Sequence, residues 1–160
     1  MKRSKRFNNT LLLIMIRPYK QTDKEHLLKV FNLNVPKSFD KNEIKDFEEY
    51  LEQKAETYLT VEVDNTIVGG TGYYVNEEDK SGRITWVFFD PNYSGQGLGK
   101  QSVDYCLNVL SKDKRVEKFI VTTSQLAYKF FEKFGYSNTR IEKNYWGEGL
   151  DLYEMEKLNM

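Results

Sequence analysis

The segment Tyr93–Lys100, which reads YSGQGLGK, is the densest glycine cluster in the chain. It follows a strand-like run, Arg83–Phe89, that ends at Asp90 and Pro91. Apolar residues at helical spacing come directly after it: Leu98, Val103, Cys106, Leu107 and Leu110. A strand, a glycine turn and a helix N-terminus form an anion site, because glycines expose backbone N–H groups and the helix dipole adds positive charge. The sequence therefore predicts that this segment binds a phosphate group.

The spacing of these glycines excludes one common phosphate site and disfavours another. A P-loop requires Gly, four residues, Gly-Lys and then Ser or Thr. Ser94 occupies the first glycine position and Gln101 the hydroxyl position, so a P-loop is excluded. A dinucleotide site requires Gly-x-Gly-x-x-Gly and an acid at the end of the next strand. Gly95, Gly97 and Gly99 are one residue too close, and the next strand-like run, KFIVTT, contains no acid.

Two blocks of sequence resemble the GNAT N-acetyltransferase superfamily. The first, FDPNYSGQGLGK, is similar to the family's acetyl-CoA-binding motif and matches it at Pro91, Tyr93, Gly95, Gly97, Leu98 and Gly99. It departs at Ser94, where the family usually has Gln or Arg. The second, SQLAYKFFEKFGY, begins about thirty residues further on and matches at Ala127, Phe130, Glu132, Lys133, Gly135 and Tyr136. The resemblance runs from about Ile14 to the C-terminus, and the two blocks in order make it specific.

This resemblance implies an α/β (α+β) fold with a mixed sheet of about seven strands flanked by about four helices. Hydrophobic periodicity independently gives the order β-α-α-β-β-β-α-β-α-β-β, which agrees. The first two helices each begin at a predicted capping box, Thr22 with Glu25 and Asp40 with Glu43. Gly69–Gly70 lies inside a predicted strand and indicates a bulge or the close approach of another group.

The resemblance also implies an acyltransferase, an acetyl-CoA-dependent N-acetyltransferase. It would move an acetyl group to a primary amine of a small molecule or a peptide, by direct attack in a ternary complex and without a metal. The expected CoA-binding residues are Phe88, Phe89, Ser94, Gly95, Gln96, Gly97, Leu98, Gly99, Lys100, Ser124, Tyr128 and Phe131. The backbone of Phe89 is expected to polarise the thioester carbonyl.

The proton donor to the leaving thiolate departs from the family pattern. Many members use a tyrosine where this chain has Phe131, which has no proton to give. Tyr128, one turn earlier, is a candidate substitute; a packing role near CoA and departure of the thiolate without an acid are the alternatives. The sequence does not mark the general base, for which Glu62, Asp90, Glu148 and a relay of water are candidates.

The two departures from the family pattern leave a second function open. Ser94 stands where the family's side chain helps to hold the pyrophosphate, and Phe131 stands where the proton donor does. The alternative is therefore a CoA-binding sensor or interaction module with impaired catalysis. No motif marks the acceptor, whose site is expected between the first two helices, the loop around Val35–Phe39 and the final hairpin.

Several other residues have structural explanations beside functional ones. Ser124 can contact CoA or cap a helix N-terminus. Cys106 lies on an apolar helix stripe and is predicted to be core, while a solvated or packed role on the first helix, not a catalytic one, is predicted for His26. One histidine and one cysteine argue against a metal site.

Composition predicts one domain without a strong charge preference. The 160 residues have a formal net charge of zero, and no segment is long and apolar enough to span a bilayer. Four basic residues in MKRSKR predict a disordered basic extension over residues 1–10, followed by a single domain over residues 11–160. Nucleic-acid binding by this extension is a minor alternative. The single cysteine predicts a cytoplasmic location, and Tyr145–Tyr153 is a candidate homodimer contact or acceptor wall.

Overall fold

The structure is a computed structural model and describes residues 13–160. The predicted extension over residues 1–10 lies outside these residues. The strands are β1 (Ile14–Pro18), β2 (Tyr58–Val63), β3 (Thr66–Asn76), β4 (Ser81–Phe89), β5 (Lys118–Thr123), β6 (Ser137–Gly147) and β7 (Leu150–Leu158). The helices are α1 (Lys24–Asn32), α2 (Glu43–Gln53), α3 (Leu98–Ser111) and α4 (Tyr128–Glu132). Their order is the predicted one.

The strands form one mixed sheet in the order β1-β2-β3-β4-β5-β7-β6. All neighbours are antiparallel except β4 and β5, which α3 connects as a parallel crossover. These two strands pair only from Ser81 with Lys118 to Ile84 with Val121, and then part. The expected fold class, a mixed seven-stranded sheet with four helices, is confirmed, and the sheet is open in its middle.

A bulge in β4 begins where the two central strands part. Gly70 pairs with Phe88 and Gly72 with Thr85, so two residues of β4 lie opposite one residue of β3. Trp86, within the bulge, has a φ of 51°, a strained backbone for a bulky residue. The Tyr58 hydroxyl donates to the Trp86 carbonyl at 2.8 Å and holds this conformation.

The glycines of β3 allow this arrangement by their lack of a side chain. A Cβ at Gly69 would overlap the backbone of Phe88, and a Cβ at Gly70 would lie 2.6 Å from the Tyr58 hydroxyl oxygen. The close approach predicted for Gly69–Gly70 is therefore confirmed. Because Tyr58 also holds the Trp86 carbonyl, these small residues help to shape the β4 bulge.

Both faces of the sheet are covered. Tyr58 packs into an aromatic cluster with α1 and α2, whereas the next residue, Leu59, packs into a cluster with α3 and α4. Adjacent strand residues point to opposite faces, so the two helix pairs lie on opposite sides. Cys106 is fully buried among α3 side chains, as predicted, which raises the pKa of its thiol to about 12, and His26 is exposed on α1, in agreement with a solvated role.

An ion network joins β1, β2 and the start of α1. Asp23, 4% exposed, accepts two hydrogen bonds from Arg17 at 2.8 and 2.9 Å, one from the Lys20 N–H and one from the Thr60 hydroxyl. Burial opposes ionisation of Asp23, but these donors hold the pKa of its carboxyl below the usual range. Arg17 also donates to Glu62 at 2.6 Å.

The predicted capping box of the first helix is wrong. Thr22 lies in a 3-10 turn, Gln21–Asp23, and α1 begins at Lys24. The carboxylate of Asp23 instead accepts the hydrogen bond from the Lys20 N–H. The second predicted box is present only in part. Glu43 accepts from the Asp40 N–H at 2.9 Å, but the Asp40 carboxylate accepts from the Asn42 N–H, and the N-cap of α2 is Asn42.

Candidate active site

A cavity of about 400 Å³ opens where β4 and β5 part. Its walls come from the α1–α2 connection, from β4 beyond Ile84, from the end of β5, from α4 and from Trp146 on β6. Most of its lining side chains are apolar or aromatic. Among the lining residues that the structure describes, Glu43 is the single ionisable one.

The glycine loop, Tyr93–Lys100, lies next to this cavity and ends in α3. Gly95 and Gly97 have φ values of 81° and 78°, a left-handed conformation that glycine adopts without strain. No described residue accepts a hydrogen bond from the backbone amides of Gly95 to Lys100. Gly97 is the N-cap of the fourteen-residue helix α3, so these amides and the helix dipole together suit an anion, as the sequence predicted.

The flanks of the glycine loop are held by local bonds. Asp90 accepts a hydrogen bond from the Asn92 N–H at 2.9 Å, which forms the turn that leads from β4 into the loop. Ser94 and Gln96 are exposed, and the Lys100 ammonium pairs with Asp104 at 2.7 Å on the surface of α3. The unpaired backbone donors of the loop are thus its amides. The charge of Lys100, the last residue of the loop, is shared with Asp104.

Gly99 and Leu98 connect the glycine loop with the walls of the cavity and with the core. A Cβ at Gly99 would lie 3.1 Å from the Phe130 ring, so the glycine lets the first turn of α3 approach the α4 segment. Gly99 also lines the cavity, while Leu98 is buried below it in the core. The unpaired amides of the loop and the apolar cavity are therefore continuous.

The end of β4 offers an unpaired edge to the cavity. The Asp90 N–H donates to the Val68 carbonyl on β3 at 2.7 Å. Because backbone groups alternate along a strand, the Phe89 N–H points to the other edge, where β5 has parted. On that side the Phe89 carbonyl accepts from the Asn34 side chain at 3.0 Å. The Phe88 side chain is buried in the α1–α2 cluster, and its ring also reaches the cavity wall.

The second sequence block forms the wall around α4. Ser124 is buried, lines the cavity and accepts a hydrogen bond from the Leu126 N–H at 3.2 Å. This bond lies in the turn before α4, whose N-cap is Ala127, so Ser124 does not cap that helix. Phe131 is 4% exposed and lines the cavity. The Tyr128 ring stacks on Tyr153, with centroids 4.6 Å apart, and is not among the lining residues.

The three acids considered as general bases lie away from the cavity lining. Glu62 pairs with Arg17, Asp90 caps the turn before the glycine loop, and Glu148 is exposed in the β6–β7 turn. The carboxyl that does line the cavity is Glu43. The sequence marked Glu43 only as part of a capping box, and its position after the predicted acceptor loop was the signal that could have identified it.

Glu43 is buried at the N-terminus of α2, with 7% of its surface exposed. Burial raises the pKa of its carboxyl to about 7, and the negative charges of Asp40 and Asp46 act in the same direction. The hydrogen bond from the Asp40 N–H acts against them. A carboxyl that titrates near neutral pH inside a cavity is suited to proton transfer.

Among residues 13–160, no group of three or more His, Cys, Asp or Glu side chains is arranged to hold a metal ion. No helix in the same residues is long and apolar enough to cross a membrane.

Comparison with known proteins gives the family. Residues 20–159 match the family described as Acetyltransferase (GNAT) domain, and no curated protein matches the sequence. Solved structures with the same fold include a ribosomal-protein-alanine N-acetyltransferase from Brucella melitensis. It is 17% identical with a TM-score of 0.72, and the match covers 90% of this chain and 99% of that one. An N-acetyltransferase from Staphylococcus aureus is 14% identical with a TM-score of 0.72, covering 92% and 99%.

A third similar structure is an aminoglycoside 6′-N-acetyltransferase complexed with coenzyme A. It is 16% identical with a TM-score of 0.68, and the match covers 91% of this chain and 97% of that one. These likenesses concern the fold, whereas the family match extends over nearly the whole chain, including the glycine loop and the α4 block. The chain belongs to the GNAT family of acetyltransferases.

Proposed function

We propose that this protein moves an acetyl group from acetyl-CoA to a primary amine of a small molecule or a peptide, by direct attack within a ternary complex. The observation that carries the proposal is the continuity between two features. The free amides of the glycine loop suit a pyrophosphate, and Gly99 joins them to a cavity with an unpaired strand edge. A linear ligand with an anionic end and an amide-containing arm fits both.

The residues present fit acetyl-CoA and have distinct tasks in holding it. The amides of Gly95 to Lys100 bind the pyrophosphate, as backbone N–H groups at a helix N-terminus do. The free edge of β4 beyond Ile84 pairs with the amides of the pantetheine arm in the manner of an added strand. The Phe89 N–H donates to the thioester carbonyl. When bound, acetyl-CoA supplies an activated acyl group that an unprotonated amine attacks.

Tyr128 is the candidate residue for donating a proton to the departing thiolate. Its ring stacks on Tyr153 instead of lining the cavity, and this favours departure of the thiolate without a side-chain acid. We expect Tyr128→Phe to keep kcat within about threefold of wild type, since a lost general acid would cost about 10²–10⁴-fold. Steady-state kinetics with acetyl-CoA and a reactive amine measure this.

The companion variant is Phe131→Tyr, which puts a phenol on the cavity wall at the family's usual position. If thiolate departure needs no acid, this variant changes kcat little. A hundredfold loss in Tyr128→Phe, restored by adding Phe131→Tyr, would instead establish Tyr128 as the acid.

The proposed function is tested by two measurements on the full chain. Calorimetry with acetyl-CoA measures binding, and release of the CoA thiol in the presence of a panel of primary amines measures transfer. We expect both binding and amine-dependent thiol release. Tight binding without release for any amine would favour the alternative, a CoA-binding module with impaired catalysis, which the phenylalanine at Phe131 suggests.

A further inference from the structure

We infer that Glu43 holds the acceptor's ammonium group and takes its proton, and that the acceptor is a monoamine with an apolar, flat body. This inference rests on the proposed function and gives it a base and a substrate class. It depends on where Glu43 lies, which of its oxygens is free and what surrounds it.

Glu43 lies where the α1–α2 connection reaches the cavity. Ser38 and Phe39 line the cavity on the same connection, and Trp86 of the β4 bulge lines it beside them. An incoming cation would therefore meet one carboxylate among neutral side chains. Since no other described lining residue is ionisable, Glu43 is the group that can attract and neutralise that cation.

One oxygen of Glu43 is occupied and the other is free. Oε2 accepts the Asp40 N–H at 2.9 Å, and no described residue donates a hydrogen bond to Oε1. Glu43 as a residue is 7% exposed, yet Oε1 is not one of the fully buried side-chain oxygens that lack a partner, so this oxygen is accessible. A ligand that brings an N–H into the cavity can therefore donate to Oε1 directly.

The carboxyl is held in place from two sides. Asp40, whose N–H binds Oε2, also packs against Gly147 of β6, where a Cβ would overlap its carboxylate. The neighbouring Trp146 donates its indole N–H to the Thr123 carbonyl at 3.0 Å and so connects β6 to the end of β5. The β6–β7 hairpin thus lies against Asp40, the residue whose N–H holds Oε2 of Glu43.

The side chains that line the cavity favour a particular kind of group next to the acceptor's amine. Phe39 and Trp86 stack with centroids 6.4 Å apart, and Trp146 and Leu126 add further apolar lining. Aromatic faces favour both a flat apolar group and a nearby cation. A second positive charge on the acceptor would lose its hydration here without a second carboxylate. The site therefore favours arylalkyl or alkyl monoamines over polyamines and aminosugars.

The chemical step balances with Glu43 as the base. Oε1 takes one proton from the ammonium, and the freed nitrogen lone pair forms the C–N bond at the thioester carbon. The C–S bond then breaks, with its electron pair going to sulfur. The nitrogen loses its second proton, which neutralises the thiolate, and Glu43 returns its own proton to water. The products are the N-acetylamine, the CoA thiol and one proton.

The pH dependence follows from the charges around Glu43. Asp40 and Asp46 are the charged groups that act on it from its own segment, and the cavity walls from β4, β5, α4 and β6 contribute no ionisable side chain among the described residues. The active pair is the Glu43 carboxylate with the ammonium, so kcat/KM rises as the pH passes upward through about 7. It falls again above the acceptor's own pKa.

The test uses the full chain with acetyl-CoA and three probe amines: 2-phenylethylamine, n-hexylamine and spermidine. We expect kcat/KM for the two monoamines to exceed that for spermidine at least about tenfold. Glu43→Gln keeps the shape and the capping acceptor but cannot take a proton, so kcat/KM falls about 100-fold. In this variant the rise of kcat/KM near pH 7 disappears. Its Kd for acetyl-CoA should stay within about twofold of the wild-type value, which would show that the variant is folded.

Glu49→Gln is the matched control, because it is the same substitution at an exposed position of α2. It should keep the wild-type rate and pH profile. An active enzyme whose rate and lower pH limb survive Glu43→Gln would overturn the role of Glu43, and a preference for spermidine would overturn the substrate class. A wild-type protein that binds acetyl-CoA but acetylates no amine would instead remove the proposed function, and this inference with it.

Discussion

Gly97→Val is expected to bind acetyl-CoA about 50-fold more weakly than the wild-type protein. Gly97 has a φ of 78°, where a branched side chain costs about 1–2 kcal/mol and shifts the backbone. A shift redirects the loop amides, and each hydrogen bond to a charged group is worth about 1.5–3 kcal/mol. A loss of about 2.4 kcal/mol, within the range for one such hydrogen bond, corresponds to this change in Kd, since about 1.4 kcal/mol is tenfold. Calorimetry with acetyl-CoA measures it.

The effect should be confined to the phosphate end of the ligand. S-acetylpantetheine has no pyrophosphate, so its affinity should be the same for Gly97→Val and wild type. Gly149→Val is the matched control, because Gly149 also has a left-handed φ, 80°, and open space around its Cα, but lies in the β6–β7 turn. An equal loss in Gly149→Val, or none in Gly97→Val, would contradict the assignment of the glycine loop.

Arg17→Met is expected to lower the free energy of unfolding by about 3–5 kcal/mol, because it leaves a buried carboxylate without its counter-charge. Asp23 is 4% exposed and would keep only the Lys20 N–H and the Thr60 hydroxyl as donors. Urea unfolding at pH 7 measures the change. The control is Arg115→Met, whose ion pairs with Asp113 and Glu77 are exposed and screened by solvent, so its stability should match that of the wild type.

The destabilisation by Arg17→Met should depend on pH in a defined direction. In the wild type the folded-state pKa of Asp23 is depressed, so its stabilising contribution is present above the unfolded pKa of about 4 and is lost as the pH falls through the folded value. Without Arg17, protonation of Asp23 removes the unpaired negative charge that destabilises the folded state. The stability difference between the two proteins should therefore narrow below about pH 4, and a constant difference would show that Asp23 is not the cause.

Local patterns predicted most of the fold and the conformation of the glycine loop. The order of the elements follows from hydrophobic periodicity, and the left-handed turn at Gly95 and Gly97 follows from glycine spacing before a helix. The close approach at Gly69 was also readable, because a glycine inside a strand indicates a neighbouring backbone. The first two features depend on residues that are close in sequence, and the third is indicated by a local pattern, a glycine within a strand, although the approaching backbone is that of Phe88.

The features that sequence patterns did not indicate depend on contacts between distant segments. Thr22 was predicted to cap α1, but the neighbouring Asp23 is drawn to Arg17 on β1 and accepts the local N–H instead. Glu43 is recognisable as a capping residue, yet its burial depends on the hairpin that packs on Asp40. The β4 bulge at Trp86 likewise depends on a hydrogen bond from Tyr58, across the sheet.

The parting of β4 and β5 also affects how the protein avoids unwanted association. An open sheet presents unpaired backbone groups at its outer strands, here β1 and β6, and such groups can template aggregation with other chains. Beyond Ile84 the parting creates further unpaired backbone in the interior of the sheet. At this inner position Phe39 and Trp146 are among the residues that line the cavity beside the unpaired backbone. Unpaired backbone at the centre of the sheet is thus flanked by side chains of the same chain, whereas the outer edges of β1 and β6 have no neighbouring strand within residues 13–160.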